Sequence, residues 1–257
     1  MSKKPILLVV WLILLGGLLY GVSHFGSSSI NGPGPDKTPP PPPATITAAQ
    51  WPQVVSHAAA PARGNPKARY TIAEFGDFEC PQCGRVRPLI ETLLQKYSTQ
   101  VNLIFVHRPF PNIHGWALTT AQAAQIAADQ SKFWPMYDAL YSHQKDLTAL
   151  SPLDSHKDLP PGALTEYAVQ AGLDRAQFEA AMKARQGRSA VEAASQFADS
   201  IHVEVTPTLI VHDNVKNTIL VYTGLMPTDK SYIAPNTLYF DRDFLGHLPW
   251  LSAAQPR

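Results

Sequence analysis

The chain has 257 residues, a formal net charge of +1, 24 prolines and two cysteines. A charge balance this close to zero leaves no electrostatic footprint for nucleic acid or for an acidic partner. Two cysteines fall short of the four ligands of a structural zinc site, and prolines this far above average usage gather in linkers and loops.

Lys3 and Lys4 precede an uncharged run over residues 5–22. The run is close to the ~20 residues that cross a bilayer as a helix, and its positive flank keeps the N-terminus cytoplasmic and sends the remainder of the chain outward. Residues 1–22 are therefore expected to be a membrane anchor. Gly21-Val22-Ser23 is a weak cleavage site, so removal as a signal peptide is the alternative, and no cysteine comes after it to make a lipoprotein. Gly17-x-x-x-Gly21 is read as incidental rather than as a dimerisation face. Residues 23–46 are Gly/Ser-rich and then carry Pro39 to Pro43 in succession. Such a tract extends as polyproline II at about 3.1 Å per residue and serves as a stiff spacer, leading to a domain over 47–257.

Within that domain, residues 48–58 form a short helix capped by Thr47 and interrupted by Pro52. Residues 70–75 are an apolar strand. Cys80-Pro81-Gln82-Cys83 comes next, and then a helix-like run to residue 97 that Pro88 should kink. This order puts both sulfurs at a helix N-terminus, where unpaired N–H groups and the dipole favour a thiolate over a thiol. A thiolate is the species that attacks disulfides. Pro81 suits a first helical turn because it has no N–H to leave unpaired. Three other readings compete. Zinc would need His107 and His114, which lie outside finger spacing. A structural disulfide would close too short a loop to stabilise much. Two inert core thiols are the third. A redox dithiol accounts best for the stretch.

Residues 101–106 are a nearly continuous apolar run, suited to a strand buried on both faces. From 115 to 201 the pattern is helical, with a polar, proline-bearing loop over 143–161. Asp174 with Gln177 and Ser189 with Glu192 fit capping boxes that open helices. Residues 208–212 and 218–222 read as an antiparallel pair turned by Asp213-Asn214. Residues 241–250 are expected to form a terminal helix, interrupted by Gly246 and Pro249. Phosphate-binding, zinc-protease and serine-nucleophile motifs are absent from the sequence. Glu74 stands out, since alternation along 70–75 does not require a charge there.

Several segments are similar to one family. Gly64-Asn65-Pro66, the run from Tyr70 through Glu74, Cys80 and Cys83 to Gly84, His107-Arg-Pro-Phe-Pro111, Ser131-Lys-Phe-Trp-Pro135 and Val205-Thr206-Pro207-Thr208 together resemble the DsbA-like branch of the thioredoxin superfamily over about residues 64–226. The resemblance implies an α/β fold, a thioredoxin core with a helical insertion at about 115–201. It implies thiol–disulfide exchange, with Cys80 the exposed nucleophile and Cys83 the buried resolving thiol. Glu74 becomes a buried acid relaying protons beneath them, and Pro207 a cis proline presenting backbone to substrate. Substrate is then expected to meet Thr206, Pro207, Pro81 and Gln82, with no metal or organic cofactor. The implied partners are exported cysteine-containing proteins and a membrane partner that reoxidises the dithiol. The expected place is the cytoplasmic membrane with the catalytic domain outside, or the periplasm or exterior after cleavage. Oxidation is the favoured direction. Gln82 departs from the Pro-His pair of the best-known branch, which leaves the redox poise open, so a reductase, an isomerase and a non-enzymatic peptide-binding chaperone module remain as alternatives.

Overall fold

The structure is a computed structural model that describes residues 44–148 and 162–223. The expected anchor (5–22), most of the linker and the expected terminal helix (241–250) lie outside the described residues. Among the described residues no helix is long and apolar enough to cross a membrane.

A 3-10 turn over Ala48–Gln50 leads into α1 (Trp51–Ser56). The Gln50 side chain accepts from the Thr47 backbone N–H at 2.9 Å and closes the turn. Pro52 does not interrupt this helix. It sits in the first turn of α1, where its missing N–H would have had no partner. Then come β1 (Arg63–Gly64), β2 (Tyr70–Gly76), α2 (Pro81–Lys96) and β3 (Val101–His107). Among the described residues six helices come after β3: α3 (Ala117–Asp129), α4 (Phe133–Ser142), α5 (Gln144–Thr148), α6 (Ala163–Gln170), α7 (Arg175–Lys183) and α8 (Arg188–Ser200). The described part ends with β4 (Thr208–Asp213) and β5 (Thr218–Thr223).

The strands form one mixed sheet in the order β1-β3-β2-β4-β5. β2 runs parallel to β3 and antiparallel to β4, so its apolar run is hydrogen-bonded on both sides. Side chains alternate between the faces. On one face Tyr70, Ile72, Leu103 and Leu209 pack on Val86, Ile90 and Leu93 of α2. On the other, Ala73, Phe75, Ile104 and Ile210 pack on Trp51 and Val54 of α1 and on Ala194 and Phe197 of α8. A third apolar cluster belongs to the helical insertion: Phe133, Met136, Tyr137 and Leu140 of α4 with Phe178 of α7. Cys80, Cys83, Phe78 and Phe105 join that cluster, so the dithiol sits at the seam between sheet and insertion. Gly76 is needed at the end of β2, because a Cβ there would lie 2.5 Å from the Phe105 ring.

Two expectations in the insertion are corrected. Ser189 does not cap a helix. Gly187, with φ 74°, precedes α8, which already includes Ser189, and Glu192 pairs with Arg188 instead. Asp174 does cap α7, accepting from the Gln177 N–H at 2.9 Å. The stretch read as a loop from 143 starts as a short helix, α5.

Candidate active site

Cys80 is the N-cap residue of α2, with extended backbone (φ −65°, ψ 117°), and Pro81 opens the helix. The N–H groups of Cys83 and Gly84 both turn back to the Cys80 carbonyl, at 3.1 and 3.3 Å. That geometry has a local cause: an extended cap, a proline whose φ is already helical, and then a residue one turn in. Both cysteines are free thiols.

The two sulfurs are driven apart in acidity. A hydrogen bond from the Cys83 thiol lowers the Cys80 thiol to about 6 against the opposing effect of burial, helped by Thr206 and by the backbone N–H groups of Cys83 and Gln82. Burial, with the Cys80 hydrogen bond and charge, pushes the Cys83 thiol well above its ordinary value. One proton is therefore held on Cys83 while Cys80 gives its own up near neutral pH. One expectation needs correction: Cys80 is not an exposed residue. It is 6% exposed against 0% for Cys83, and the accessible flank of the site is Pro81. The insertion packs over the turn and removes the surface that the cap position alone would leave.

Thr206 and Pro207 reach the dithiol from the segment immediately before β4. The peptide bond between them is cis. The Thr206 carbonyl oxygen lies 3.4 Å from the Cys80 sulfur and can accept from its thiol. Thr206 and Pro207 are themselves buried.

Glu74, on β2 beneath the dithiol turn, is fully buried. Tyr137 of α4 donates its hydroxyl to one carboxylate oxygen at 2.9 Å, and the other has no hydrogen-bond partner among the described residues. Burial pushes this carboxyl up to about 8, only partly offset by Tyr137 and the charge of Arg87. Glu74 is thus mostly protonated at neutral pH and lies within electrostatic reach of Cys83.

Sequence reasoning missed the groups that hold the turn. Asp77 accepts from the backbone N–H of Glu79 (2.9 Å) and of Phe110 (2.9 Å), and His114 Nδ1 lies 2.8 Å from the oxygen that Phe110 uses. Glu79 accepts from the Trp116 N–H at 2.7 Å. Gln144 of α5 donates to the carbonyls of Phe78 (3.0 Å) and Cys80 (2.7 Å). The alternation of acids in Asp77-Phe78-Glu79 was a visible signal, but the partners that reach the turn from elsewhere lie 33 to 66 positions away. The histidines considered for zinc are used otherwise. His114 is bound to Asp77, and His107 is buried among the rings of Phe78, Phe105 and Phe133.

A mixed sheet built on a parallel β-α-β unit, a Cys-x-x-Cys at the start of that unit's helix and a cis proline facing it define a thioredoxin-type redox site. A family model described as Thioredoxin matches residues 56–224, more than half of the chain. The chain belongs to the thioredoxin family. Among solved structures it is similar to oxidised BdbD from Bacillus subtilis, with TM-score 0.51 and 23% identity over 61% of this chain and 83% of that one. It is also similar to alpha-DsbA1 from Wolbachia pipientis, with TM-score 0.50 and 18% identity over 68% and 78%. Both likenesses are of fold. In sequence it is 35% identical over 150 residues, 58% of the chain, to the Na(+)/H(+) antiporter NhaA 3 of Salinispora tropica. The chain spans about a fifth of the length of that relative (21%).

Proposed function

We propose that this protein is a disulfide-forming oxidase acting on exported proteins. The observation that carries the reading is the split between the two sulfurs: an acidic Cys80 and a Cys83 that keeps its proton. In the oxidised protein a substrate thiolate attacks the Cys80 sulfur. A bond forms between substrate sulfur and Cys80, the Cys80–Cys83 bond breaks, and Cys83 leaves with the electron pair and takes a proton. Glu74, buried and mostly protonated at neutral pH, is the donor of that proton. A second substrate thiolate then attacks the mixed disulfide and expels Cys80 as a thiolate, the leaving group its low pKa favours. Substrate has lost two electrons and the dithiol has gained them. A membrane redox partner takes them away and resets the disulfide. Thr206 and Pro207, with Pro81 and Gln82 on the accessible flank, line the path by which a substrate backbone reaches Cys80.

The direct test is oxidation of a reduced dithiol peptide by the oxidised protein. Cys80→Ala should abolish it. Cys83→Ala, mixed instead with a disulfide-containing peptide, should accumulate a mixed disulfide: Cys80 attacks the peptide disulfide, releases one peptide thiol, and has no second cysteine to resolve the new bond. A Cys80→Ala protein that keeps its cellular activity would place the chain among peptide-binding modules instead.

A further inference from the structure

The turn that carries the nucleophile is crowded with acids. Asp77, Glu79 and Cys80 lie within four residues, and each is buried, at 2%, 1% and 6% exposure. The charge of a buried carboxylate disfavours a second anion beside it. The dipeptide between the cysteines, Pro81-Gln82, supplies no ionisable group. Yet the fold brings a base to the turn from the segment between β3 and α3. His114 Nδ1 lies 2.8 Å from Asp77, whose same oxygen accepts from the Phe110 N–H at 2.9 Å. The His114 backbone N–H in turn donates to the Phe110 carbonyl at 2.9 Å, and Trp116, two residues on, donates to Glu79 at 2.7 Å. Asp77 also accepts at its carbonyl from the Cys80 N–H at 3.1 Å. The imidazole is therefore fixed to the residue that fixes Cys80, and its side chain, 15% exposed, can still exchange protons with solvent.

We propose that His114, as an imidazolium held by Asp77, is the counter-charge that allows the Cys80 thiolate to form on this acidic turn, a positioning residue that does not itself touch substrate. This rests on Cys80 being the nucleophile. Asp77 is hydrogen-bonded to the ring, Glu79 and Cys80 lie within its electrostatic reach, and Cys83 on α2 and Glu74 on β2 are the titratable groups coupled to the Cys80 sulfur. Burial opposes a charged His114, but the hydrogen bond and charge of Asp77, with the charges of Cys80 and Glu79 after them, raise its pKa above the ordinary value. The coupling is reciprocal: the stabilisation that the imidazolium gives the thiolate, the thiolate gives back. Closing the disulfide removes the negative charge of Cys80, so His114 should titrate at lower pH in the oxidised protein.

The test uses the full chain, reduced, and measures alkylation of Cys80 against pH by mass spectrometry. Wild type should show a midpoint near 6. His114→Asn should move it upward by about one pH unit, a tenfold loss of thiolate below the midpoint. His114→Asn with Asp77→Asn should move it back toward wild type, because both charges are then gone; loss of a purely structural contact would not be repaired by losing its partner too. A folded His114→Asn with an unmoved midpoint overturns the proposal while leaving Cys80 as nucleophile. A wild-type midpoint no lower than that of an ordinary thiol removes the reading of Cys80 and this inference with it. Should the variant fail to fold, the His114 ring resonances of the wild type decide: a lower titration in the oxidised form supports the coupling, and equal titration in both forms contradicts it.

Discussion

Glu74 and Cys80 are two acids moved in opposite directions by the same site, and their pH dependences differ in sign. The Glu74 carboxyl is raised by burial to about 8, so its contribution to stability is complete below the unfolded value near 4.5 and is lost as pH rises through about 8. The Cys80 thiol is lowered to about 6, led by its hydrogen bond from Cys83, so its contribution is complete above the ordinary thiol value and is lost as pH falls through about 6. Each has a slope of about 1.4 kcal/mol per pH unit within its window, and between about 6 and 8 the two oppose one another in the reduced protein. Glu74→Gln removes one of them. Urea unfolding of reduced wild type and Glu74→Gln at about pH 5 and pH 8 should show the variant gaining on wild type as pH rises. A difference between the two proteins that is the same at both pH values would contradict the buried, protonated carboxyl.

At the scale of elements, α5 clamps the start of α2. Gln144 makes two hydrogen bonds to carbonyls of the dithiol turn, and a Cβ at Gly84 would lie 1.9 Å from its side-chain oxygen. Gly84→Ala gains about 1 kcal/mol of helix propensity but drives Gln144 out, at about 1 kcal/mol for each hydrogen bond lost. The substitution should thus destabilise by about 1 kcal/mol alone and stabilise by about 1 kcal/mol in a Gln144→Ala background. Equal effects in both backgrounds, measured by denaturant unfolding, would show that the clamp carries no energy. The sequence showed the elements around this clamp better than the clamp itself. β2, β3 and the β4–β5 pair were legible because their signals are local: continuous apolar runs, and Asp213, whose carboxylate accepts from the N–H groups of Val215 and Lys216 at the turn. Cys80 and Pro81 marked the helix start for the same reason. Gln144 was not legible, since a polar residue in a polar stretch gives no sign of a partner 64 positions back. Ser189 misled because its spacing to Glu192 satisfied a local pattern, whereas Gly187 set the helix start two residues earlier. The burial of Cys80 was equally hidden, because it comes from insertion residues far along the chain.

At the scale of the whole molecule, the catalytic domain is expected outside the cytoplasm, on the strength of Lys3, Lys4 and the uncharged run over 5–22. A compartment-sensitive reporter fused after Ala44 should report export, and a cytoplasmic signal would remove exported proteins as substrates. The direction of the reaction is a property of the whole fold, since every interaction that favours the Cys80 thiolate exists only while the protein is reduced. A thiol lowered from 9.0 to about 6 stabilises the reduced form by about 1.4 kcal/mol at pH 7, which corresponds to about 30 mV for a two-electron couple. The short loop closed by the disulfide returns little unfolded-state entropy against this. Denaturant unfolding of the reduced and oxidised full chain at pH 7 measures the balance directly. The reduced protein should unfold at higher denaturant, by a margin that grows between pH 6 and pH 8; an oxidised form more stable by over about 1 kcal/mol, beyond the error of extrapolation, would contradict an oxidase and make the protein a reductase.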